Sequence, residues 1–181
     1  GQMLAPPLVV WAILNYSWQA SFVIVGVISL CWVVLWLILY HPVAKHPRRF
    51  VALASVPLQD SARAAAELER AMTKLGLRGA EIASNINGRY LDDPAFDPFW
   101  EAAQALDAVL FVHPNQVVGA ERMRDYNLAN LIGNPTDTSL AFAKLIFGGV
   151  LERFPRLKFL LAHGGGFLPY TWGRLERGYR I

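Results

Sequence analysis

The sequence predicts two unlike parts: a transmembrane helical hairpin over residues 1–44, and an α/β domain over residues 51–181 that is a partial (β/α)8 TIM barrel of about four β/α units. Three observations lead to this prediction. The first 44 residues contain no Lys, Arg, Asp or Glu, so the 17 basic and 14 acidic residues all follow them. Apolar strands then alternate with helix patterns, an order typical of parallel strands covered on both faces. Two histidines stand directly after two of those strands.

The uncharged run over residues 20–40 has the length of a membrane span. Its 21 residues would extend about 31 Å as a helix, which is about one hydrocarbon core. Thirteen of them are Leu, Ile, Val or Phe, and these contribute about −4 to −8 kcal/mol to insertion. Tyr16, Trp18, Trp36 and Tyr40 stand near the two ends of the run, where aromatic residues settle at an interface.

The basic residues Lys45, Arg48 and Arg49 follow this run. By the positive-inside rule we expect a membrane-anchored chain with its α/β domain in the cytoplasm, and a bilayer contact through residues 20–40. Residues 3–14 are a second apolar segment, too short to span alone, that would complete the hairpin. A signal peptide and a buried helix of a soluble protein are the alternatives, although a signal peptide has a basic start and a shorter apolar stretch. If the apolar part is an artefact, a cytoplasmic protein is expected.

The remaining sequence contains four apolar segments with the length of strands, at residues 51–56, 80–83, 108–112 and 158–161. Helix patterns cover residues 61–75, 96–106, 122–132, 137–154 and 169–180. Asp60 precedes the first of these helices as a good N-cap. A complete barrel needs eight β/α units and about 250 residues, so spacing alone allows either a small open sheet or half of a barrel.

His113 and His163 each follow directly on an apolar strand, the first before Pro114 and the second before three glycines. Because the C-terminal ends of parallel strands share one edge of the sheet, we expect both imidazoles in one pocket. There they are able to ligate a metal or to exchange protons near pH 7. The alternative is that each is a strand-end histidine bonded to backbone. A pair at equivalent strand ends favours an active site, and with it the half-barrel.

Four segments and a closing motif recur together, in this order, in one family: residues 79–82, 111–114, 148–155 and 161–166, then Pro169-Tyr170 with Gly173-Arg174. From about residue 49 onward the sequence resembles the amidohydrolase-related family of aminocarboxymuconate-semialdehyde decarboxylase and γ-resorcylate decarboxylase. The resemblance implies a metal-dependent decarboxylase or hydrolase that acts on a small carboxylic acid. It also implies a divalent metal, Zn or else Mn, and a homodimer or larger assembly in intact relatives.

The same resemblance implies a role for three residues. His113 matches a metal-ligand histidine, and His163 matches a catalytic histidine that transfers a proton or positions the metal-bound water. Arg174 matches an arginine that binds a substrate carboxylate across a dimer interface, where a guanidinium can donate two parallel hydrogen bonds; a solvated helix residue is the alternative. The family also uses a His-x-His or Glu-x-His pair on its first strand and an Asp on its eighth. This sequence matches neither, so an incomplete catalytic domain is expected.

The first 48 residues resemble helices five and six of major-facilitator transporters of the hexuronate type, through residues 5–8, residues 16–22 and Gly26. Residues 45–50 fit both parts and form the predicted junction. The chain is therefore expected to be a chimera or a fragment, and a transporter fragment or a nonfunctional fusion is the alternative to an enzyme. The net charge of +3 is dispersed, without a basic stripe interleaved with aromatic residues, so no nucleic-acid partner is expected.

Overall fold

The computed structural model describes residue 11 and residues 15–16, 18–39 and 50–180. The chain divides into one unit up to Phe50 and a second from Val51 onward. In the first unit, helix α1 covers Trp18–Leu39. None of the helices within the described residues has both the length and the apolarity to cross a membrane. The predicted transmembrane span, with its bilayer contact through residues 20–40, is therefore not supported.

Two other expectations for this part fall almost wholly outside the described residues. One is the second helix of the hairpin, predicted over residues 3–14, of which the structure describes only Trp11. The other is the junction over residues 45–50, of which it describes only Phe50. Both stay predictions.

The second unit alternates strands and helices. Its strands are β1 Ala54–Ser55, β2 Gly79–Ala83, β3 Asn85–Ile86, β4 Arg89–Tyr90, β5 Val109–His113 and β6 Lys158–Leu161. Its helices are α2 Ser61–Leu75, α3 Asp97–Ala105, α4 Asn134–Phe147, α5 Val150–Arg153 and α6 Leu168–Tyr179. Short 3-10 turns cover Pro94–Phe96, Ala120–Arg122 and His163–Gly165, and a π turn covers Ala129–Gly133.

Four strands form a parallel sheet in the order β1-β2-β5-β6, and β3 and β4 form a separate antiparallel pair. The register places Glu81 of β2 beside Phe111 of β5, and Phe111 beside Leu160 of β6. Parallel strands joined through helices are the arrangement of a (β/α)8 barrel, and four of them are consistent with part of one. The predicted α/β class is confirmed.

Within residues 50–180, helices cover one face of this sheet and leave the other uncovered. Alternate residues Ala80, Ile82, Leu110 and Val112 are buried in a core with side chains of α2 and α3, such as Trp100. The opposite face carries the exposed Glu81 and Leu160 and the half-buried Phe111, and we call it the open face. The expectation of cover on both faces is wrong for the described residues. A barrel strand explains the difference, because its second face points to the barrel interior and not to helices.

Local signals account for the bounds of α2. Asp60 lies just before this helix, and its Oδ1 accepts a hydrogen bond from the Arg63 N–H at 3.1 Å. Gly76 ends the helix in the left-handed conformation with φ +70°, which glycine adopts without a steric cost. The predicted range of residues 61–75 is confirmed.

Two predicted helices differ from the structure. Residues 137–154 form two helices, α4 and α5, because Gly149 has a φ of +69° and interrupts the helical backbone. Residues 122–132 do not form one helix, since Tyr126 and Asn127 adopt positive φ values of 54° and 59°. Left-handed residues at these points turn the chain, so apolar periodicity alone overestimated the length of both helices.

Candidate functional site

The structure brings His113 and His163 together. His113 is the last residue of β5, and His163 follows the neighbouring parallel strand β6 after one intervening residue. Their ring centroids lie 5.5 Å apart and their planes are inclined by 51°. Both side chains are exposed at the carboxyl ends of the strands, the edge of a parallel sheet where ligands bind.

His113 borders a cavity of about 460 Å³ at the carboxyl ends of β1, β2 and β5. Glu81 and Asn115 line the same cavity. The imidazole Nδ1 lies 3.1 Å from the carbonyl oxygen of Pro114, and the Phe111 ring centroid lies 6.1 Å from the ring of His113. A small molecule in this cavity would therefore meet one imidazole and one carboxylate.

His163 has a left-handed backbone, with φ +54°, and Gly164, Gly165 and Gly166 after it also have positive φ values. The Gly166 N–H donates to the His163 carbonyl at 2.9 Å, which closes this tight turn. A Cβ on Gly166 would lie 2.2 Å from the carbonyl oxygen of Pro135, so only glycine fits against the start of α4. The glycine run thus fixes the position of His163 against α4.

The structure places Arg174 in a different cavity from the one that His113 borders. It is exposed on α6 and lines a second cavity, of about 770 Å³, between α4 and α6. Arg177 and Ser139 line that cavity too, but neither histidine does. The carboxylate-binding role of Arg174 stays a prediction.

The two imidazoles have the right chemistry for a metal, but they are too few. A catalytic zinc site has three protein ligands and an open position. Within residues 18–39 and 50–180, no group of three or more His, Cys, Asp or Glu side chains converges on a point that could hold a metal ion. The described residues supply two donors of a suitable type and do not by themselves complete a metal centre.

The structure also contains a buried carboxylate, Asp137, that the sequence did not reveal. Asp137, in the first turn of α4, is fully buried and accepts a hydrogen bond from the Ser84 hydroxyl. It also accepts from the Tyr90 hydroxyl at 2.7 Å and from the Val118 N–H at 3.3 Å. Burial raises the pKa of Tyr90 well above its ordinary value, and the hydrogen bond to Asp137 raises it further.

This carboxylate belongs to what we call the Asp137 cluster: Ser84, Asn85, Tyr90 and Asp137. The cluster contacts the chain just after His113, since Asn115 donates its N–H to Ser84 Oγ at 3.1 Å. The cluster is not apparent from the sequence, because Ser84 and Tyr90 lie 53 and 47 positions from Asp137. One local signal was present, namely Asn87-Gly88, a dipeptide that favours the hairpin turn between β3 and β4.

A model of the amidohydrolase family matches residues 38–180. The chain is 46% identical over 137 residues to the 2-amino-3-carboxymuconate-6-semialdehyde decarboxylase of Dictyostelium discoideum, a match that covers 76% of this chain and 38% of that protein. The match to the amidohydrolase model supports the resemblance predicted for the second part. The comparisons give no support to a transporter portion.

Solved structures give the same result. The fold superimposes on the 5-carboxyvanillate decarboxylase of Sphingomonas paucimobilis with a TM-score of 0.70 at 38% identity, over 76% of this chain and 42% of the other. It superimposes on a dihydroxybenzoic acid decarboxylase from Polaromonas with a TM-score of 0.66 at 33% identity, over 77% and 45% of the two chains. That enzyme was crystallised with bound manganese and the inhibitor 2-nitroresorcinol. The chain spans less than half the length of each of these relatives.

Proposed function

This chain belongs to the amidohydrolase family, and we propose that residues 51–181 are part of the catalytic domain of a metal-dependent decarboxylase that acts on a small aromatic carboxylic acid. The observation that carries the proposal is the pair of imidazoles, His113 and His163, 5.5 Å apart at the ends of adjacent parallel strands. The relatives named above are carboxy-lyases, and two of them act on or bind aromatic acids or phenols.

Decarboxylation breaks the bond between a carbon and its carboxylate, releases CO2 and places a proton on the carbon left behind. We assign that proton transfer to His163, because an imidazole can act as a general acid and this ring is exposed 5.5 Å from the ring of His113, which borders the cavity. His113 is the proposed contributor of one ligand to a divalent metal, which would be manganese or zinc. A complete centre needs further ligands from outside the described residues.

Arg174 is the proposed partner of the substrate carboxylate. Its guanidinium is suited to two parallel hydrogen bonds with a carboxylate. Because it is exposed on α6 and lines a different cavity from the one that His113 borders, we place this contact in an assembly, where Arg174 of one copy reaches the site of another.

The proposal is tested by CO2 release from 2,6-dihydroxybenzoate and from 5-carboxyvanillate, with the full chain supplied with Mn2+. His163→Gln is expected to lower kcat by about 10²–10⁴-fold, the range for loss of a general acid. His113→Asn is expected to weaken the binding of Mn2+, whereas His163→Gln is expected to retain most of the Mn2+ affinity. Electron paramagnetic resonance of the free Mn2+ measures this binding. Glu69→Gln, at an exposed position of α2, is the control and is expected to leave both readouts unchanged.

Two outcomes would contradict the proposal. One is that the unsubstituted chain, loaded with Mn2+, releases CO2 from neither of the two acids. The other is release that His163→Gln leaves at its full rate, because the proton donor would then be a different group.

A further inference from the structure

We propose that Asp137 is a positioning residue that fixes both the orientation and the tautomer of His113, while contacting neither substrate nor metal. The inference rests on the proposed function only in taking His113 as an active-site residue. Asp137 is a fully buried carboxylate on α4, and none of its hydrogen bonds within residues 50–180 goes to an imidazole. Its effect must therefore pass through the residues that it holds.

Ser84 is the first of those residues. Its hydroxyl donates to Asp137, and the same oxygen accepts the Asn115 N–H at 3.1 Å. Its backbone N–H donates to the His113 carbonyl at 2.9 Å. Ser84 thus holds both ends of the segment His113–Asn115, and the carboxylate sets the direction of its hydroxyl proton.

Two further bonds hold the same segment. Asn85, which is buried, donates its side-chain amide to the Asn115 carbonyl at 2.5 Å. Val118 donates its N–H to Asp137 directly at 3.3 Å. Four backbone atoms between positions 113 and 118 are consequently bound to Ser84, Asn85 or Asp137.

The consequence for His113 lies at Pro114. Pro114 is buried between the two held residues, and its carbonyl oxygen lies 3.1 Å from His113 Nδ1. A carbonyl only accepts hydrogen bonds, so this contact stabilises the imidazole with its proton on Nδ1. The lone pair then lies on Nε2, the ring nitrogen left to act in the site. A shift of the segment His113–Asn115 would move the Pro114 carbonyl away from Nδ1, and the Nδ1–H tautomer of His113 would no longer be favoured.

The cluster requires a group that accepts at both of its oxygens. Asp137 Oδ1 accepts from the Val118 N–H and the Tyr90 hydroxyl, while Oδ2 accepts from the Ser84 hydroxyl, with the Asn85 amide 3.4 Å away. An asparagine at position 137 has nearly the same shape but places an NH2 group at one end. If that NH2 group replaces Oδ1 it faces the Val118 N–H, and if it replaces Oδ2 it faces the Asn85 amide NH2, so two donors face each other in either orientation. Asp137→Asn therefore disturbs the hydrogen bonds with little change in volume.

The test is the tautomer of each histidine, measured by long-range ¹H–¹⁵N correlation on the full chain with ¹⁵N-labelled histidine, at a pH where the rings are neutral. The unsubstituted chain is expected to show His113 mainly with its proton on Nδ1. In Asp137→Asn the ratio of the two tautomers is expected to change roughly fivefold to tenfold toward Nε2–H, as for the loss of one neutral hydrogen bond. The signals of His163 are expected to stay unchanged.

Thr138→Val is the matched control. Thr138 is the adjacent buried residue of α4, and its hydroxyl donates to the carbonyl of Asn134 in the same turn. If Asp137 only stabilises the fold, Asp137→Asn and Thr138→Val are expected to change the His113 tautomer ratio equally when they lower the free energy of unfolding by the same amount. Ser84→Ala removes the link to Asn115 with a smaller change, and serves if Asp137→Asn does not fold.

An unchanged His113 tautomer in Asp137→Asn and Ser84→Ala would overturn the inference, and so would a His113 that carries its proton on Nε2 in the unsubstituted chain. The measurement uses neither Mn2+ nor a carboxylic acid. A chain that releases no CO2 but shows the tautomer shift would therefore contradict the proposed function and leave this inference standing.

Discussion

Tyr90 connects the hairpin of β3 and β4 to the buried carboxylate. Its hydroxyl donates to Asp137 at 2.7 Å, and its ring lies 5.3 Å from the Lys144 ammonium. Ionising Tyr90 would place two negative oxygens side by side in a half-buried site and remove the donated hydrogen bond. Burial and this bond together raise the pKa of Tyr90. The folded chain therefore holds this phenol in its neutral form at pH values where the unfolded chain releases the proton.

The sign of the pH dependence follows from that difference. Because the folded-state pKa of Tyr90 is raised, its contribution to stability is complete below about pH 10 and falls as the pH rises above it. Tyr90→Phe is expected to lower the free energy of unfolding by about 1–2 kcal/mol at pH 7, where one hydrogen bond to the carboxylate is lost. The difference between the two chains is expected to shrink above pH 10. Urea unfolding at pH 7, 9 and 11 measures this, and a constant difference would contradict it.

At this scale the sequence predicted the histidines and missed the carboxylate. His113 and His163 are readable because each stands at the end of an apolar strand, and the edge rule for parallel sheets then places them together. Asp137 stands in a helix pattern with no feature that marks it as buried. Its burial depends on Ser84 and Tyr90, which reach it only after the sheet and the hairpin have formed.

Strands β2 and β5 approach each other closely at Gly79. This residue has a φ of +152°, and a Cβ on it would lie 1.8 Å from the carbonyl oxygen of Val109. The contact is to backbone, which cannot rotate away as a flexible side chain would. Glycine at position 79 is therefore needed for the pairing of the two strands, and for placing Ser84, five residues later, beside the His113 carbonyl.

Gly79→Ala is expected to lower the free energy of unfolding by about 2–4 kcal/mol, since it combines backbone strain with a steric overlap. The control is Gly173→Ala, within α6, where an added Cβ meets no atom within 4 Å. That substitution is expected to leave stability unchanged or to raise it by up to about 1 kcal/mol. Urea unfolding followed by circular dichroism compares the two variants. Equal effects would show that the β2–β5 contact at Gly79 is not a constraint.

Whether a helix or strand could be predicted depends on whether residues close to its ends in the sequence mark its bounds. Helix α2 was predicted to the residue because Asp60 and Gly76 mark its ends. The hairpin of β3 and β4 was missed because each strand has only two residues, too few for an alternating pattern. Arg122 to Ile132 was predicted as a helix and forms turns, since the left-handed Tyr126 and Asn127 have no distinctive sequence pattern.

The sheet of the second unit is one-sided. Its helices bury one face, and the open face keeps a row of Glu81, Phe111 and Leu160 across three strands. Within residues 50–180, β1 and β6 each pair with a strand on one side only. Unpaired edge strands offer free N–H and C=O groups to other chains. We therefore expect the 181-residue chain, expressed by itself, to self-associate through this sheet.

Leu160 is the position at which to test that expectation, because it lies on the edge strand β6 and its side chain is 53% exposed. Leu160→Glu places a charge on the edge, and charged edge residues oppose strand addition. We expect it to reduce the mean mass of the full chain in a fixed low concentration of mild detergent, measured by sedimentation velocity at rising protein concentrations. Leu75→Glu is the matched control, since Leu75 is 55% exposed at the end of α2, outside the sheet. An equal reduction in mean mass by both variants would show that the added charge alone is responsible. A monodisperse unsubstituted chain would contradict self-association through the edge strands.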